Sequence, residues 1–145
     1  MSILEQSERA AVVAEALRWL GTPYHHAARI RGAGVDCAML LAEVYRAAGV
    51  VPAVAPEAYP PDWHLHRDIE RYLGWVERHA RPTEAPLPGD AVLFKVGRCF
   101  AHGAIVIDWP GIVEARLGLG VIISDALADQ FLANRQRRFF TCWGA

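Results

Sequence analysis

The sequence predicts an α+β domain in which N-terminal helices pack on a C-terminal antiparallel sheet. Apolar residues recur at helical spacing in the first half of the chain, whereas short β-branched and aromatic runs separated by turn residues fill the second half. Helices followed by strands is the order typical of an α+β fold with helices against one side of a sheet. The length of 145 residues suits a single domain covering 1–145.

The first predicted helix begins at Ser2, since Ser2 and Glu5 have the spacing of a capping box. It ends at Gly21. We expect four apolar residues to form its buried stripe: Val13, Ala16, Leu17 and Leu20.

The second predicted helix follows a glycine-rich turn, with Asp36 as its N-cap and Cys37 in its first turn, and runs to about Ala48. A helix N-terminus favours an anion, so the spacing predicts a lowered pKa for the Cys37 thiol and a nucleophilic thiolate. The alternative is a small apolar residue in a buried helix, which is the usual role of a lone cysteine.

Residues 50–61 are proline-rich and predict an extended surface segment. Asp62 is then expected to cap a third helix, and a second proline-bearing connector covers 81–90. One face of that helix carries the apolar residues Leu65, Ile69, Tyr72, Leu73 and Val76.

The second half predicts strands in hairpins, with a short helix over Asp125–Asn134 before the last strand. The expected strands are Ala91–Val96, Ala101–Asp108, Ile112–Leu117, Val121–Ser124 and Arg138–Trp143. His102 lies at the start of an apolar strand, so it is the best candidate for a base within hydrogen-bonding reach of the Cys37 sulfur. The alternative is a histidine that merely ends a strand.

Composition and charge exclude several classes of function. Hydrophobic residues make up 53% of the chain and charged residues 21%, and the net charge is −1, as in globular proteins. The lysines and arginines form no long block, which argues against nucleic acid as a partner. No stretch is long and apolar enough for membrane insertion, and residues 1–8 lack the apolar core of a signal peptide. We therefore expect synthesis in the cytoplasm.

The cysteines and histidines predict neither disulfides nor a metal. Three cysteines form an odd, sparse set without metal-ligand spacing, which favours a reduced compartment; they are Cys37, Cys99 and Cys142. Cys99 and Cys142 lie beside Phe100 and Trp143 in strand-like runs, which predicts packing roles for both. The histidines form no cluster at ligand spacing. We expect no cofactor and no metal.

Four motifs in this order resemble the NlpC/P60 family of cysteine peptidases, across roughly residues 10–117. They are Gly21-Thr22-Pro23-Tyr24, Asp36-Cys37, the run 87–94 from Leu87 to Phe94, and His102-Gly103-Ala104-Ile105-Val106. The stretch Tyr24-His25-His26-Ala27 is similar to members encoded in bacteriophage and gene-transfer-agent tail modules. For such members the resemblance implies phage-like tail proteins as partners and a place in the virion or tail.

The resemblance implies a papain-like NlpC/P60 fold and hydrolysis of peptidoglycan stem peptides, typically between D-γ-glutamyl and a diamino acid. By position, Cys37 matches the nucleophile and His102 the base, while Glu114 occupies the place of the third polar residue, commonly histidine. The implied substrate-binding residues are Tyr24, Asp36 and His26.

Three departures keep other functions open. One is Glu114, at a position where the family commonly has histidine. Ala38-Met39 replaces the usual Ser-Gly after the cysteine, and the segment 52–82 is longer than in a minimal domain. The alternatives are a non-catalytic tail or assembly component of the same fold, and a thiol amidase or acyltransferase. A three-residue turn, 108–110, would pair Ile107 with Gly111 and place Glu114 on the same sheet face as His102. A two-residue turn would separate them.

Overall fold

A computed structural model describes residues 1–52 and 71–144 of the chain, with the backbone alone described at residue 71. Its helices are α1 (Ile3–Arg18), α2 (Cys37–Ala47) and α3 (Arg71–Glu77). A short hairpin consists of β1 (Arg29–Ile30) and β2 (Gly34–Val35). The main sheet contains β3 (Arg81–Thr83), β4 (Ala91–Val96), β5 (Cys99–Asp108), β6 (Gly111–Arg116), β7 (Gly120–Asp125) and β8 (Arg137–Thr141).

The main sheet has six antiparallel strands in the order β3-β8-β4-β5-β6-β7. The larger core cluster lies between the helices and this sheet, and a smaller one lies on the opposite face. The smaller cluster includes Ala126 and Leu132 from the segment after β7. The predicted α+β architecture, with helices on one side of an antiparallel sheet, is confirmed.

Helix α1 begins as predicted, because the Ser2 side chain accepts a hydrogen bond from the Glu5 N–H at 3.0 Å. The predicted buried stripe is confirmed at Ala16 but wrong at Leu17 and Leu20, which are 38% and 41% exposed. The other buried residues of this face are Arg9, Val12 and Trp19. The burial of the charged residue Arg9 was not expected. Because Arg9 bonds Asp90 and Thr141, the buried face of α1 includes Arg9 and differs from the predicted apolar stripe.

Helix α2 is buried from Cys37 to Tyr45, because α1 covers it on one side and the sheet on the other. It begins at the predicted residue, with the Asp36 carboxylate accepting from the Met39 N–H at 2.9 Å. It ends at Ala47, with Ala48 as the C-cap. The position of Cys37 in the first helical turn is therefore as the sequence predicts.

In α3, the described part of the third predicted helix, Tyr72, Leu73 and Val76 are buried as expected. The proposed cap Asp62 lies outside the described residues. So do Leu65 and Ile69, and most of the predicted extended segment 50–61. The assignment of 52–82 as a family-variable segment of one domain stays a prediction.

The predicted strand Ala91–Val96 is present with those bounds, and the other predicted strands are present with shifted ends. Three strands were missed. Two are the short strands β1 and β2. The third is β3, which lies in the proline-bearing connector, where Pro82 is tolerated because β3 is an edge strand.

The predicted helix over Asp125–Asn134 is wrong. Asp125 accepts from the Leu127 and Ala128 N–H groups, and Asp129 accepts from those of Phe131 and Leu132. These side-chain bonds to nearby backbone stabilise consecutive turns in place of a helix.

Candidate active site

The backbone around Cys37 is held by the buried carboxylate of Asp36. One carboxylate oxygen accepts from the Met39 N–H and the other from the Ala27 N–H, at 2.9 and 2.7 Å. Asp36 is completely buried, so its carboxylate anchors the loop and the helix start. Its assignment as a substrate-binding residue stays a prediction.

The Cys37 thiol donates a hydrogen bond to the Ala101 carbonyl at 3.5 Å. Burial raises the pKa of this thiol to about 12, and the negative charge of Asp36 adds to the increase. Hydrogen bonds from the backbone N–H groups of Gly103, Ala38 and Cys37 act in the opposite direction but are outweighed. The predicted lowering of the pKa is therefore wrong for the free protein, because burial exceeds the effect of the helix N-terminus.

His102 lies on strand β5 beside a bulge. Phe94 pairs with His102 and Lys95 pairs with Phe100, so Ala101 is the extra residue that has no partner on β4. Its ring lies 6.1 Å from that of Phe94, a member of the smaller core cluster on the sheet face away from α2. The prediction of a base within hydrogen-bonding reach of the Cys37 sulfur requires the ring to face α2. The ring instead packs on the other face of the sheet. Among the described residues, the thiol has its hydrogen bond with the Ala101 carbonyl and none with the imidazole.

The Cys37 sulfur is nevertheless adjacent to His102 along strand β5. It contacts the Ala101 carbonyl and the Gly103 N–H, the backbone groups on either side of His102. Pairing between β5 and β6 extends only as far as Ala104 opposite Glu114, so residues 101–103 lie beyond that ladder and the sulfur approaches their backbone there. The thiol thus lies against the backbone of the strand segment that carries His102, where β5 has no β6 partner.

His102 and Glu114 are in direct contact. The His102 Nε2 atom lies 2.9 Å from Glu114 Oε1, which leaves Nδ1 for another partner. The connecting turn contains only Trp109 and Pro110, because Asp108 pairs with Gly111. A bulge at Ile107 compensates for the short turn, and Glu114 still pairs with Ala104. The predicted shared face is therefore present, although the predicted pairing of Ile107 with Gly111 is not.

The Glu114 carboxylate is completely buried and ionised. Burial favours its neutral form, but hydrogen bonds from His102 and Ser124, together with the charges of His102 and Arg116, lower its pKa below the ordinary value. Arg116 binds both carboxylate oxygens and also Asp129. Sequence reasoning missed Arg116 and Asp129. Arg116 was detectable, because residues two apart on a strand share a face, whereas Asp129 sits in turns that were predicted as a helix.

Tyr24 lies beside the helix start, where it forms a parallel bridge with Val35 and packs against the larger core cluster. Burial raises the pKa of its hydroxyl, and the charges of Cys37 and Asp36 add to this, which indicates that the phenol is close to both. His26 Nδ1 lies 3.9 Å from Asp36 Oδ2, and its side chain is 31% exposed. Tyr24 therefore lies beside the thiol and His26 beside Asp36, and their role toward a substrate stays a prediction.

A third residue whose place in the site sequence reasoning missed is Tyr72 of α3. Its hydroxyl donates to the Cys37 carbonyl at 3.1 Å. The same hydroxyl lies so close to Gly103 that a Cβ there would collide with it. The glycine after His102 thus makes room for the tyrosine that holds the backbone of Cys37. The helical pattern predicted burial of Tyr72 but carried no signal for its partner.

Cys99 is buried, Cys142 is partly buried, and both are free thiols, consistent with packing roles. Within residues 1–52 and 71–144, no three histidine, cysteine or acidic side chains come together as metal ligands. No helix in this part of the chain has the length and apolar character needed to cross a membrane.

No protein-family model and no curated protein sequence matches the chain. Solved structures do match. The NlpC/p60 domain of the peptidoglycan hydrolase SagA is 20% identical with a TM-score of 0.62, over 90% of this chain and 96% of that domain.

Two longer proteins are similar over part of their length. An NLP/P60 family lipoprotein-like protein of Staphylococcus aureus is 19% identical, with a TM-score of 0.58, over 91% of this chain and 41% of that one. NlpC2 from Trichomonas vaginalis is 15% identical, with a TM-score of 0.60, over 93% and 48% of the two chains. The chain thus spans less than half of these two proteins. At these identities the likeness concerns the fold, and the chain therefore has the papain-like α+β fold of NlpC/P60 domains.

Proposed function

We propose that this chain is a cysteine hydrolase that cleaves peptide bonds in peptidoglycan stem peptides. The observation that carries the proposal is the contact between His102 Nε2 and Glu114 at 2.9 Å, with the Cys37 sulfur against the backbone on either side of His102. A nucleophile, a base and a carboxylate that orients the base are the components of a thiol hydrolase.

In the proposed reaction His102 acts as a general base on a neutral thiol, because the pKa of Cys37 is about 12 in the free protein. Nδ1 takes the thiol proton as the sulfur attacks the carbonyl carbon, and a C–S bond forms. The tetrahedral intermediate then collapses, the C–N bond breaks, and His102 returns the proton to the leaving amine. Water hydrolyses the thioester by the same route, releasing the acid and restoring the thiol.

The developing oxyanion needs hydrogen-bond donors near the sulfur. The backbone N–H groups of Cys37 and Ala38 are close enough to the sulfur to lower the pKa of the thiol. They belong to the first turn of α2, whose free N–H groups and dipole favour negative charge. This supports the assignment of the helix start as the oxyanion site.

The substrate class is proposed from the resemblance of the motifs and from one structural neighbour, the SagA domain, which belongs to a peptidoglycan hydrolase. The bond between D-γ-glutamyl and a diamino acid is the proposed cleavage point, with Tyr24 and His26 on the substrate side. Delivery by a phage-like tail, which would place the protein in a virion or tail particle, is proposed from the Tyr24–Ala27 stretch.

Purified protein incubated with defined stem peptides, with products read by mass spectrometry, tests the proposed reaction. We expect cleavage on the carboxyl side of D-γ-glutamyl that disappears in Cys37→Ala. Cys142→Ala is the matched control, since Cys142 is a partly buried thiol with a pKa raised to about 11, mainly by burial, and it should retain activity. Cleavage that persists in Cys37→Ala would refute the assigned nucleophile.

A second candidate is a tail or assembly component that binds wall peptide without cutting it. One observation favours it: the thiol is neutral, buried and hydrogen-bonded to a carbonyl, whereas the imidazole is bonded to Glu114. Binding of stem peptide without cleavage of any peptide in the panel would select this candidate.

A further inference from the structure

Arg116 forms a bidentate contact with the Glu114 carboxylate, which also contacts His102. Its Nε donates to Glu114 Oε1 at 3.1 Å and its Nη2 donates to Oε2 at 2.8 Å. Oε1 is also the atom that lies 2.9 Å from His102 Nε2. Such paired bonds between a guanidinium and a carboxylate fix the orientation of the carboxylate as well as its charge. The Arg116 side chain is 15% exposed, so the pair is shielded from water.

The guanidinium is itself held in place from the other side. Its Nη1 donates to Asp129 Oδ2 at 2.8 Å, and Asp129 Oδ1 accepts from the backbone N–H groups of Phe131 and Leu132. The guanidinium also lies 5.0 Å from the centre of the Phe131 ring. A continuous series of bonds therefore connects the turns after β7 to the imidazole of His102.

Phe131 completes this arrangement, because its ring packs edge-on against His102 with the centroids 5.8 Å apart. The charged groups around His102 are Glu114 and Arg116 from β6 and Asp129 from the following segment, with Arg135 on the same Phe131 ring. From α2, the Cys37 sulfur contacts the backbone on either side of His102.

We propose that Arg116 is a positioning residue for His102 and acts through Glu114. With both carboxylate oxygens held, Glu114 presents Oε1 to Nε2, so that the neutral imidazole keeps its proton on Nε2 and its lone pair on Nδ1. That tautomer is the one able to accept the thiol proton. The catalytic consequence rests on the proposed function, whereas the effect on the tautomer does not.

An ordinary structural ion pair would predict something else. If Arg116 only stabilised the fold, its loss would lower the melting temperature and leave the imidazole tautomer unchanged. If Arg116 positions Glu114, its loss frees the carboxylate to rotate, and the neutral imidazole exchanges between its two tautomers.

The test is ¹⁵N NMR of the imidazole nitrogens in Arg116→Met and Arg116→Lys, with Arg135→Gln as the matched control. Arg135 lies 4.3 Å from the centre of the same Phe131 ring but bonds only the backbone carbonyls of Phe131 and Lys95. We expect the wild type and Arg135→Gln to show a proton on Nε2, and both Arg116 variants to show mixed tautomers. Arg116→Lys keeps the charge but loses the fork, so it separates position from charge.

Activity supplies a second readout where cleavage of wall peptide is found. We expect kcat to fall in both Arg116 variants at unchanged KM, because the base is misplaced whereas the substrate-binding groups are untouched. If Arg116→Met does not fold, Asp129→Asn removes the support of the guanidinium and should give the same mixed tautomers to a smaller extent.

An imidazole proton that stays on Nε2 in all folded Arg116 and Asp129 variants would overturn the inference. Failure of the proposed function is a separate result: no cleavage of any stem peptide, with the tautomer differences still present.

Discussion

Arg9 and Arg116 each bind buried carboxylates, one where α1 meets the sheet and the other beside His102. Arg9 bonds Asp90 Oδ1 and Glu5 Oε2, each at 2.9 Å, and also contacts the Thr141 hydroxyl and the Pro88 carbonyl. It lies 4.3 Å from the centre of the Trp143 ring. Arg116 likewise bonds two carboxylates and lies against an aromatic ring. The two networks are built from the same kinds of group.

They differ in what the buried carboxylate contacts next. The second oxygen of Asp90 accepts from the Leu87 N–H, so the hydrogen bonds of Asp90 lead on to a backbone group. Glu114 instead contacts His102, the imidazole of the proposed site. The comparison teaches that a buried ion pair is by itself a weak sign of function, and that the neighbour of the carboxylate decides its role.

The largest predicted effect breaks the structural network. Arg9→Met leaves Asp90 buried without its cation, which we expect to cost about 3–5 kcal/mol of unfolding free energy. Arg116→Met should cost less, about 1–2 kcal/mol, because Glu114 keeps His102 and Ser124 as partners. Urea unfolding monitored by tryptophan fluorescence measures both.

The control for this comparison is Glu5→Gln, which removes only the partly exposed i,i+4 partner of Arg9. It should cost about 0.5 kcal/mol. Equal losses from Arg9→Met and Arg116→Met would contradict the distinction between the two networks.

The next effect concerns turnover and rests on the proposed function. Glu114→Gln keeps an acceptor for His102 Nε2 but removes the negative charge that stabilises an imidazolium in the transition state. We expect kcat to fall by about tenfold to a hundredfold, with stem-peptide binding almost unchanged. The acidic limb of the pH profile should move to lower pH. Steady-state kinetics and calorimetric binding to Cys37→Ala variants separate these quantities, and an unchanged kcat would remove Glu114 from the site.

Much of the fold could be predicted from the sequence, because its signals are local. The Ser2 and Asp36 caps, the helical spacing after Cys37 and the alternation in 91–96 each depend on neighbouring residues. The shared face of His102 and Glu114 was also predictable from strand alternation, although the route to it was not. The short turn and the bulge at Ile107 offset one another, and no local pattern distinguishes that pair of irregularities from a regular three-residue turn.

The features that failed prediction depend on distant partners. Arg9 is buried on α1 because Asp90 and Thr141 lie opposite it, and a stripe of apolar residues cannot reveal such partners. The pKa of the Cys37 thiol followed the same logic. The helix N-terminus was visible in the sequence, whereas burial under the sheet and the negative charge of Asp36 were a consequence of packing.

The smallest expected effect is a flat titration of the Cys37 thiol near neutral pH. It tests whether Glu114 is the only charged group that contacts the His102 imidazole among the described residues. A Cys37 thiolate near the imidazole would give His102 a second ionic partner. His102 would then pair with two anions, as Arg9 does with Asp90 and Glu5. Because the pKa of Cys37 is about 12, we expect no thiolate near neutral pH. The difference in absorbance at about 240 nm between wild type and Cys37→Ser should therefore stay flat between about pH 5 and pH 8.

The same raised pKa fixes the sign of the alkaline response. The unfolded thiol loses its proton near 9.0 and the folded one near 12, so the contribution of Cys37 to stability is complete below about pH 9 and is lost as the pH rises toward 12. Cys37→Ser should show a shallower loss of stability over this range, as measured by urea unfolding at each pH. An absorbance step titrating below neutrality would instead reveal a preformed thiolate–imidazolium pair, and it would remove the contrast between the two arginine networks.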